Sequence, residues 1–333
     1  MSEQNIQVLL ARRPTGEVRQ SDFKVVSAEI PSIGKGQFLV RNHYLSLDPY
    51  MRGRMSDAPS YAEPVALNDV MVGATVGEVV ESHHADFRSG DKVVGYFGWQ
   101  LYGLSDGTMV TRIEERNLPL SVFLGPVGMP GVTAYVGLMD IAQPKAGETV
   151  VVSAASGAVG SVVGQLARIH GCRSVGIAGG PDKCRYATDE LGLDACVDYK
   201  AGRLREDLET AAPDGIDIYF ENVGGPTLDT ILARMNPFGR ITVCGMISQY
   251  NATEPYRVKN IQSVLINRLK MQGFIVSDHL PRWPAVLKEL ARLVGVGRIK
   301  YRESIAQGLE NAPAAFIGLL AGKNFGKQLV KLI

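Results

Sequence analysis

The apolar positions change their spacing part-way along the chain. Up to about residue 120, short segments of alternating or β-branched character (6–11, 37–44, 74–82, 92–97 and 108–112) are separated by Gly, Pro and Asp turns. No long stretch there repeats its apolar residues at helical spacing, which predicts a β-rich domain, barrel-like or sandwich-like. From Gly128-Met129-Pro130-Gly131 onward, strand and helix signals alternate, as a doubly wound parallel sheet requires.

Residues 148–154 (ETVVVSA) carry the continuous β-branched residues of a strand buried on both faces. Residues 157–171 read as a helix, with Val159, Val162, Val163, Leu166 and Ile169 on one face and Gly171 as its stop. Further strands are expected at 174–178, 195–199, 216–221, 240–244 and 271–276, and helices at 182–191, 226–235 and 283–294. Pro237-Phe238-Gly239 is read as the break after the helix at 226–235. The end of the chain, 328–333, is strand-like and is expected to return to the first domain. The fold class is therefore α/β, with a β-rich domain of residues 1–126 and 300–333 around a nucleotide-binding domain of 127–299.

A length of 333 residues exceeds what one ordinary core holds, in keeping with two domains. Hydrophobic residues make up 45% and charged ones 21%, the balance of a folded globular chain. The net charge is +1 with Lys and Arg dispersed, whereas nucleic-acid binders cluster their basic residues, so no nucleic-acid partner is expected. No apolar run approaches the roughly 18–20 residues a bilayer requires. The start, Met1-Ser2-Glu3-Gln4-Asn5, lacks the charged-then-apolar order of a leader, so a cytoplasmic location is expected. Cys172, Cys184, Cys196 and Cys244 form no Cys-x-x-Cys pair, which argues against a structural zinc lobe. They are read as small buried apolar residues.

The expected strand at 148–154 runs into Ala154-Ala155-Ser156-Gly157-Ala158-Val159-Gly160-Ser161 and then a helix. This is the phosphate-binding turn of a dinucleotide fold with Ala in the first glycine position. Small residues let the backbone approach a pyrophosphate, and the helix start supplies free N–H donors. Selectivity for NAD needs an acid at the tip of the second strand, but that strand ends Ala178-Gly179-Gly180-Pro181. Asp182 comes late and is followed by Lys183, and Tyr199 closes the next strand. A missing carboxylate beside a cation and a phenol suits the 2′-phosphate of NADPH.

The order of a β-rich domain, a Rossmann domain and a short tail resembles the medium-chain dehydrogenase/reductase superfamily. Where zinc-dependent members carry Cys and His ligands, this chain reads Leu45-Ser46-Leu47-Asp48-Pro49-Tyr50 and Gly73-Ala74-Thr75. His43, His83, His84, His170 and His279 show no ligand spacing, so no metal is expected. No Tyr has a Lys four residues later, which removes the short-chain signature. Without a metal at the carbonyl oxygen, hydride delivery to an activated carbon–carbon double bond becomes the favoured chemistry.

A closer resemblance, to the zinc-free leukotriene hydroxydehydrogenase, prostaglandin reductase and bacterial curcumin reductase group, rests on six segments. They are Tyr44-Leu45-Ser46-Leu47-Asp48-Pro49-Tyr50-Met51-Arg52, residues 125–135, residues 154–164, Tyr219-Phe220-Glu221-Asn222-Val223-Gly224-Gly225, residues 244–251, and 308–313 with 322–327. The resemblance implies a GroES-like catalytic domain completed by the C-terminal tail, a Rossmann domain, NADPH and a homodimer. By position it implies cofactor contacts from Gly157, Ala158, Val159, Gly160, Lys183, Tyr199 and Asn222. It adds Cys244, Gly245, Met246, Ile247, Ser248, Tyr250, Phe274, Ile275, Val276 and Asn324. Residues 252–262 depart from the group's pattern, in a loop expected to border the active site.

The expected reaction places hydride on the β-carbon of an α,β-unsaturated ketone or aldehyde, with charge building on the carbonyl oxygen as an enolate. A neutral phenol can donate a hydrogen bond to that oxygen, because Tyr keeps its proton near pH 7. Tyr250 is the first choice as donor and Tyr61 the second, while Tyr50 and Arg52 are read as structural members of their motif. A quinone reductase of the same superfamily and a non-catalytic NADPH-binding protein are the alternatives.

Overall fold

The computed structural model describes residues 4–114 and 117–333; residues 1–3 of the segment read for a leader lie outside them. The chain divides into two compact units, Met1–Leu124 with Glu303–Ile333, and Gly125–Arg302.

The first unit is built on a seven-stranded sheet and a two-stranded ribbon. Its long strand, Phe38–Ser46, pairs antiparallel with Thr75–Ser82, with Tyr102–Ser105 and with the C-terminal strand Lys327–Lys331. The C-terminal strand also runs parallel to Glu303–Gln307, so the tail completes the sheet of the chain's beginning. One buried ion pair fixes that return. Lys327 Nζ donates to Leu47 O at 2.7 Å and to Asp48 Oδ1 at 2.8 Å, with both side chains almost fully enclosed. Burial lowers the Lys327 pKa and Asp48 opposes that shift. The apolar core beside it stacks Phe23 on Trp99 at 5.5 Å, with Phe316 edge-on to Trp99 at 5.7 Å.

Phe316 belongs to a helix, Ala312–Leu320, that sequence periodicity did not reveal. Its sequence is apolar on nearly every side, so it shows no polar face to set a 3.6-residue rhythm. The strands Phe23–Ala28, Tyr102–Ser105 and Glu303–Gln307 also went unassigned. The expected strand at 108–112 shrinks to Thr111–Arg112.

The second unit holds six parallel strands: β1 (Thr149–Ser153), β2 (Arg173–Ala178), β3 (Ala195–Asp198), β4 (Ile216–Glu221), β5 (Met235–Val243) and β6 (Lys270–Gly273). Their spatial order is β3-β2-β1-β4-β5-β6, the doubly wound arrangement, which leaves a crevice at the carboxyl ends of β1 and β4 where the order reverses. Every residue of β1 is buried, as a central strand covered on both faces demands. The helices that carry the site are α1 (Gly160–Ile169), α2 (Pro181–Arg185), α3 (Gly225–Leu232) and α4 (Trp283–Gly295).

Four boundaries differ from expectation for local reasons. α1 starts at Gly160 rather than 157, because the intervening residues form the turn itself. The helix expected over 182–191 is an α-turn that widens into a π-helix, Tyr186–Glu190. β6 ends at Gly273, three residues short. Pro237-Phe238-Gly239 does not separate a helix from a strand. α3 has already ended at Leu232, and β5 runs through the three residues as a bulge. Phe238 takes φ +64 there, and the pairing with β4 slips between Ile216 and Ile218.

Candidate active site

The turn expected to hold a phosphate is closed tightly between β1 and α1. Ala154, in the position glycine usually holds, adopts φ +53, a left-handed conformation that costs an L-residue about 1–2 kcal/mol. Gly160 explains how the turn closes. A Cβ at Gly160 would lie 2.3 Å from Ala154 O, so only glycine lets α1 begin against the end of β1. Gly157 N donates to Ala154 O at 2.8 Å, and Gly157, Ala158 and Val159 are half-buried, their backbone on the rim of the crevice. These residues fit a dinucleotide pyrophosphate by shape and by the N–H donors at the start of α1.

At the tip of β2, the structure brings together residues that the sequence separates. A Cβ on Gly179 would meet the Tyr199 hydroxyl at 3.0 Å and Lys200 Cε at 3.1 Å, so both side chains lie over the Gly179 backbone. Asp198 Oδ1 accepts Gly180 N at 2.7 Å and Lys200 N at 2.9 Å, which ties the loop after β2 to the end of β3. Lys183 is half-buried on α2; burial lowers its pKa, and the nearby Lys200 charge lowers it further. Two cations and a phenol therefore share this corner. Lys200 was missed by sequence reasoning, although it adjoins Tyr199.

The third cluster sits where β1, β4 and β5 end. Glu221 is fully buried and accepts from Ser153 Oγ at 3.1 Å, Tyr219 OH at 3.0 Å and Val223 N at 2.6 Å. Burial raises the Glu221 pKa against these donors. Asn222 is clamped to β1: its N donates to Ser153 Oγ at 2.9 Å and its Nδ2 to Ser153 O at 2.8 Å. The loop after β5 hangs from the same residues. Cys244 N and Gly245 N donate to Glu221 O, Ile247 N to Asn222 O and Ser248 N to Val223 O, all within 2.9–3.1 Å. Burial pushes the Cys244 thiol up to about 12, with Glu221 adding to the shift. Ser153, Tyr219 and Glu221 were not singled out from the sequence, although Glu221 stands beside Asn222 in the quoted motif.

Tyr250 closes this loop. Its hydroxyl accepts Met246 N at 3.3 Å and lies 3.0 Å from where a Cβ on Gly245 would be. A hydroxyl that accepts an N–H is polarised toward donating its own proton. Phe274 packs beside Gly137, whose Cβ would lie 2.9 Å from the Phe274 ring, and Ile275 leads into Val276, whose carbonyl accepts Trp283 Nε1 at 3.2 Å. The unusual segment 252–262 is anchored on α3. Asp229 accepts from Tyr256 OH at 2.8 Å and from the backbone of Lys259 and Asn260 at 2.9 Å.

The remaining two candidates, Tyr61 and Asn324, belong to the first unit. Tyr61 is 58% exposed with the Arg54 guanidinium 5.1 Å above its ring. Tyr50 also carries Arg54, at 5.8 Å. The Tyr50 pKa is raised well by burial, with Asp48 adding to it. Asn324 Nδ2 donates to Gly326 O at 2.8 Å. Arg52 is buried and donates to Pro14 O and Gly16 O, a packing role.

The reading of the cysteines needs correction. Cys172 is buried, but Cys184, Cys196 and Cys244 are only half-buried. Cys184 lies on α2 and Cys196 on β3.

A family model described as an N-terminal domain of oxidoreductase matches residues 6–113, and one described as a zinc-binding dehydrogenase matches 158–292. The second description implies a metal, yet the described residues offer no group of three His, Cys, Asp or Glu side chains that could hold one. The chain is 50% identical over 336 residues to the NADPH-dependent curcumin reductase of Escherichia coli (strain K12), covering 99% of this chain and 97% of that one. It is 43% identical over 333 residues to the 2-alkenal reductase (NADP(+)-dependent) of Nicotiana tabacum, covering 98% and 97%. Among solved structures, CurA of Vibrio vulnificus in complex with NADPH superposes with a TM-score of 0.94 at 50% identity, covering 98% of this chain and 99% of that one. Identity at this level over the whole length, on a turn shaped for a dinucleotide, makes this chain an NADPH-dependent oxidoreductase of the medium-chain dehydrogenase/reductase family, in the group of the curcumin and 2-alkenal reductases.

Proposed function

We propose that the chain reduces the carbon–carbon double bond of α,β-unsaturated ketones and aldehydes, with Tyr250 as hydrogen-bond donor to the carbonyl oxygen. The observation that carries the role is the Tyr250 hydroxyl, polarised by Met246 N–H, on a loop suspended from Glu221 and Asn222. NADPH, when bound, supplies the hydride that goes to the β-carbon. Gly157, Ala158, Val159 and Gly160 hold its phosphates, and Lys183 and Tyr199 hold the 2′-phosphate, with Lys200 adding charge. Asn222, the loop from Cys244 to Ser248, Phe274, Ile275 and Val276 line the reactive end. As the alkene accepts hydride, charge develops on the carbonyl oxygen, and a donor fixed in advance stabilises it without reorganisation. Protonation at the α-carbon completes the reduction. Tyr61 is the second candidate donor.

A cytoplasmic homodimer is the associated proposal. No helix among the described residues is long and apolar enough to cross a membrane. Light scattering in solution tests the dimer.

Product analysis with deuterated NADPH and a simple acyclic enone tests the reaction. Saturated ketone carrying deuterium on the β-carbon is expected; allylic alcohol, or no cofactor oxidation, would overturn the proposal. A kcat/KM at least about tenfold higher for a benzoquinone would assign the site to quinones instead.

A further inference from the structure

We propose that Asp229 is a positioning residue for Tyr250, acting through Tyr256 and Gln249. The inference rests on the reading of Tyr250 as donor to the carbonyl oxygen, and names what holds that donor in place. Asp229 lies just over one turn into α3, the helix that follows Asn222-Val223-Gly224. Its side chain is buried, and a buried carboxylate stays charged only where donors surround it. The donors come from one segment. Tyr256 OH reaches Oδ2 at 2.8 Å, Asn260 N reaches Oδ1 at 2.9 Å, and Lys259 N spans both oxygens at 2.9 and 3.1 Å. Burial raises the Asp229 pKa, but these donors outweigh it and hold the carboxyl below its ordinary value.

From Tyr256 the connection continues to the residue before Tyr250. Tyr256 N donates to Gln249 Oε1 at 2.9 Å, Gln249 Nε2 to Ser248 Oγ at 2.9 Å, and Ser248 Oγ to Val223 O at 2.6 Å. Both side chains sit over the start of α3, where a Cβ on Gly225 would lie 3.0 Å from Ser248 Oγ and 3.1 Å from Gln249 Nε2. The turn that carries Tyr250 is thus held at Val223 on one side and at Asp229 on the other. Apolar burial contributes little here. Residues 252–255 are exposed and Val258 is only partly buried against the core, so the polar clamp on Asp229 does the holding.

An oxyanion donor is effective when it is fixed before the charge develops. A misplacement of about 1 Å, even from a change far from the chemistry, can cost about 10²-fold in rate. Loosening Tyr256 frees the Gln249 side chain and lets the Tyr250 hydroxyl leave the position where it accepts Met246 N. Because Asp229 and Tyr256 act through that hydroxyl, losing them cannot cost more than losing the hydroxyl itself.

The test is a double-variant cycle on single-turnover hydride transfer from saturating NADPH to a simple acyclic enone, with the full chain. Tyr256→Phe deletes one hydrogen bond from a half-buried ring and keeps the backbone donors on Asp229, so the variant should fold, which thermal unfolding checks. It should slow transfer about 3- to 10-fold, less than Tyr250→Phe does, with NADPH affinity changed less than about twofold. Asp229→Asn keeps the size but removes one accepting oxygen, and should slow transfer at least as much. In the Tyr250→Phe background either substitution should cost less than about twofold more, since the hydroxyl they position is gone. A general loosening of the fold would instead multiply the effects. That result, or a wild-type rate for Tyr256→Phe while Tyr250→Phe is slow, would overturn the positioning role alone. A wild-type rate for Tyr250→Phe would overturn the donor reading and this inference with it, so the two failures are distinguishable.

Discussion

Replacing Lys183 by Ala removes one of the two cations of the corner at the tip of β2, the other being Lys200, while leaving the turn at Ala154–Gly160 and the Tyr250 loop untouched. A charge-assisted contact to phosphate contributes about 1.5–3 kcal/mol. Two structural features decide where in that range the loss falls. Lys183 is half-buried, which strengthens a contact to an anion, but Lys200 lies close enough to depress its pKa and would remain in the variant. The lower part of the range follows, an NADPH affinity weakened about 10- to 60-fold at about 1.4 kcal/mol per decade. NADH, which lacks the 2′-phosphate, should lose less than about twofold. The pH dependence has a definite sign. Burial and Lys200 lower the Lys183 pKa in the free protein, and a phosphate dianion raises it again, so binding takes up a proton once the pH exceeds the lowered value. Wild-type NADPH affinity should therefore fall with rising pH earlier than an ordinary lysine near 10.4 would dictate, and Lys183→Ala should flatten that fall. Fluorescence titration of both cofactors at constant ionic strength measures all of this. Equal losses for NADPH and NADH would show that Lys183 acts through folding, and an unchanged NADPH affinity would remove it from the site.

Tyr250→Phe should keep NADPH binding and slow single-turnover hydride transfer to an enone about 10- to 100-fold, since one oxyanion donor is worth 10²–10³ at most; an unchanged rate would make Tyr250 a wall of the pocket. Lys327→Met leaves Asp48 buried without its cation and should cost about 3–5 kcal/mol in urea unfolding, part of which Asp48→Asn should restore in the double variant; a loss under about 1 kcal/mol would contradict the buried pairing. The Glu221 carboxyl holds its proton more tightly folded than unfolded, so its contribution to stability declines as pH rises from the unfolded carboxylate range, about 4.3, through its raised folded value. Glu221→Gln should lack that decline and gain on wild type between pH 5 and pH 8, and parallel unfolding midpoints across that range would contradict it.

What the sequence made legible was whatever depends on neighbours in the chain. The alternation of strands and helices, the small residues from Ala154 to Gly160 and the missing acid at the tip of β2 are local patterns, and all can be read without a structure. The helix Ala312–Leu320 was hidden for an equally local reason. It packs Phe316 against Trp99 and shows no polar stripe, so its composition resembles a buried strand as much as a helix. The bulge at Phe238 was misread because Pro and Gly mark irregular backbone without saying whether a strand ends or bends there.

The hydrogen bonds around the candidate residues could not be read from the sequence. Ser153 and Glu221 are separated by 68 residues, yet their hydrogen bond joins the end of β1 to the loop that carries Asn222. Nothing in either segment alone calls for the other; the strand order places β4 beside β1 and thereby creates the contact. The same holds at the tip of β2. Tyr199 and Lys200 reach Gly179 because β3 pairs with β2. A motif therefore nominates residues for a cofactor, whereas their protonation and reactivity depend on partners that only the parallel sheet brings alongside. Glu221 illustrates the difference: from the sequence it is a carboxylate next to a candidate binding residue, and in the fold its acid is buried while its backbone carbonyl accepts the loop that holds Tyr250.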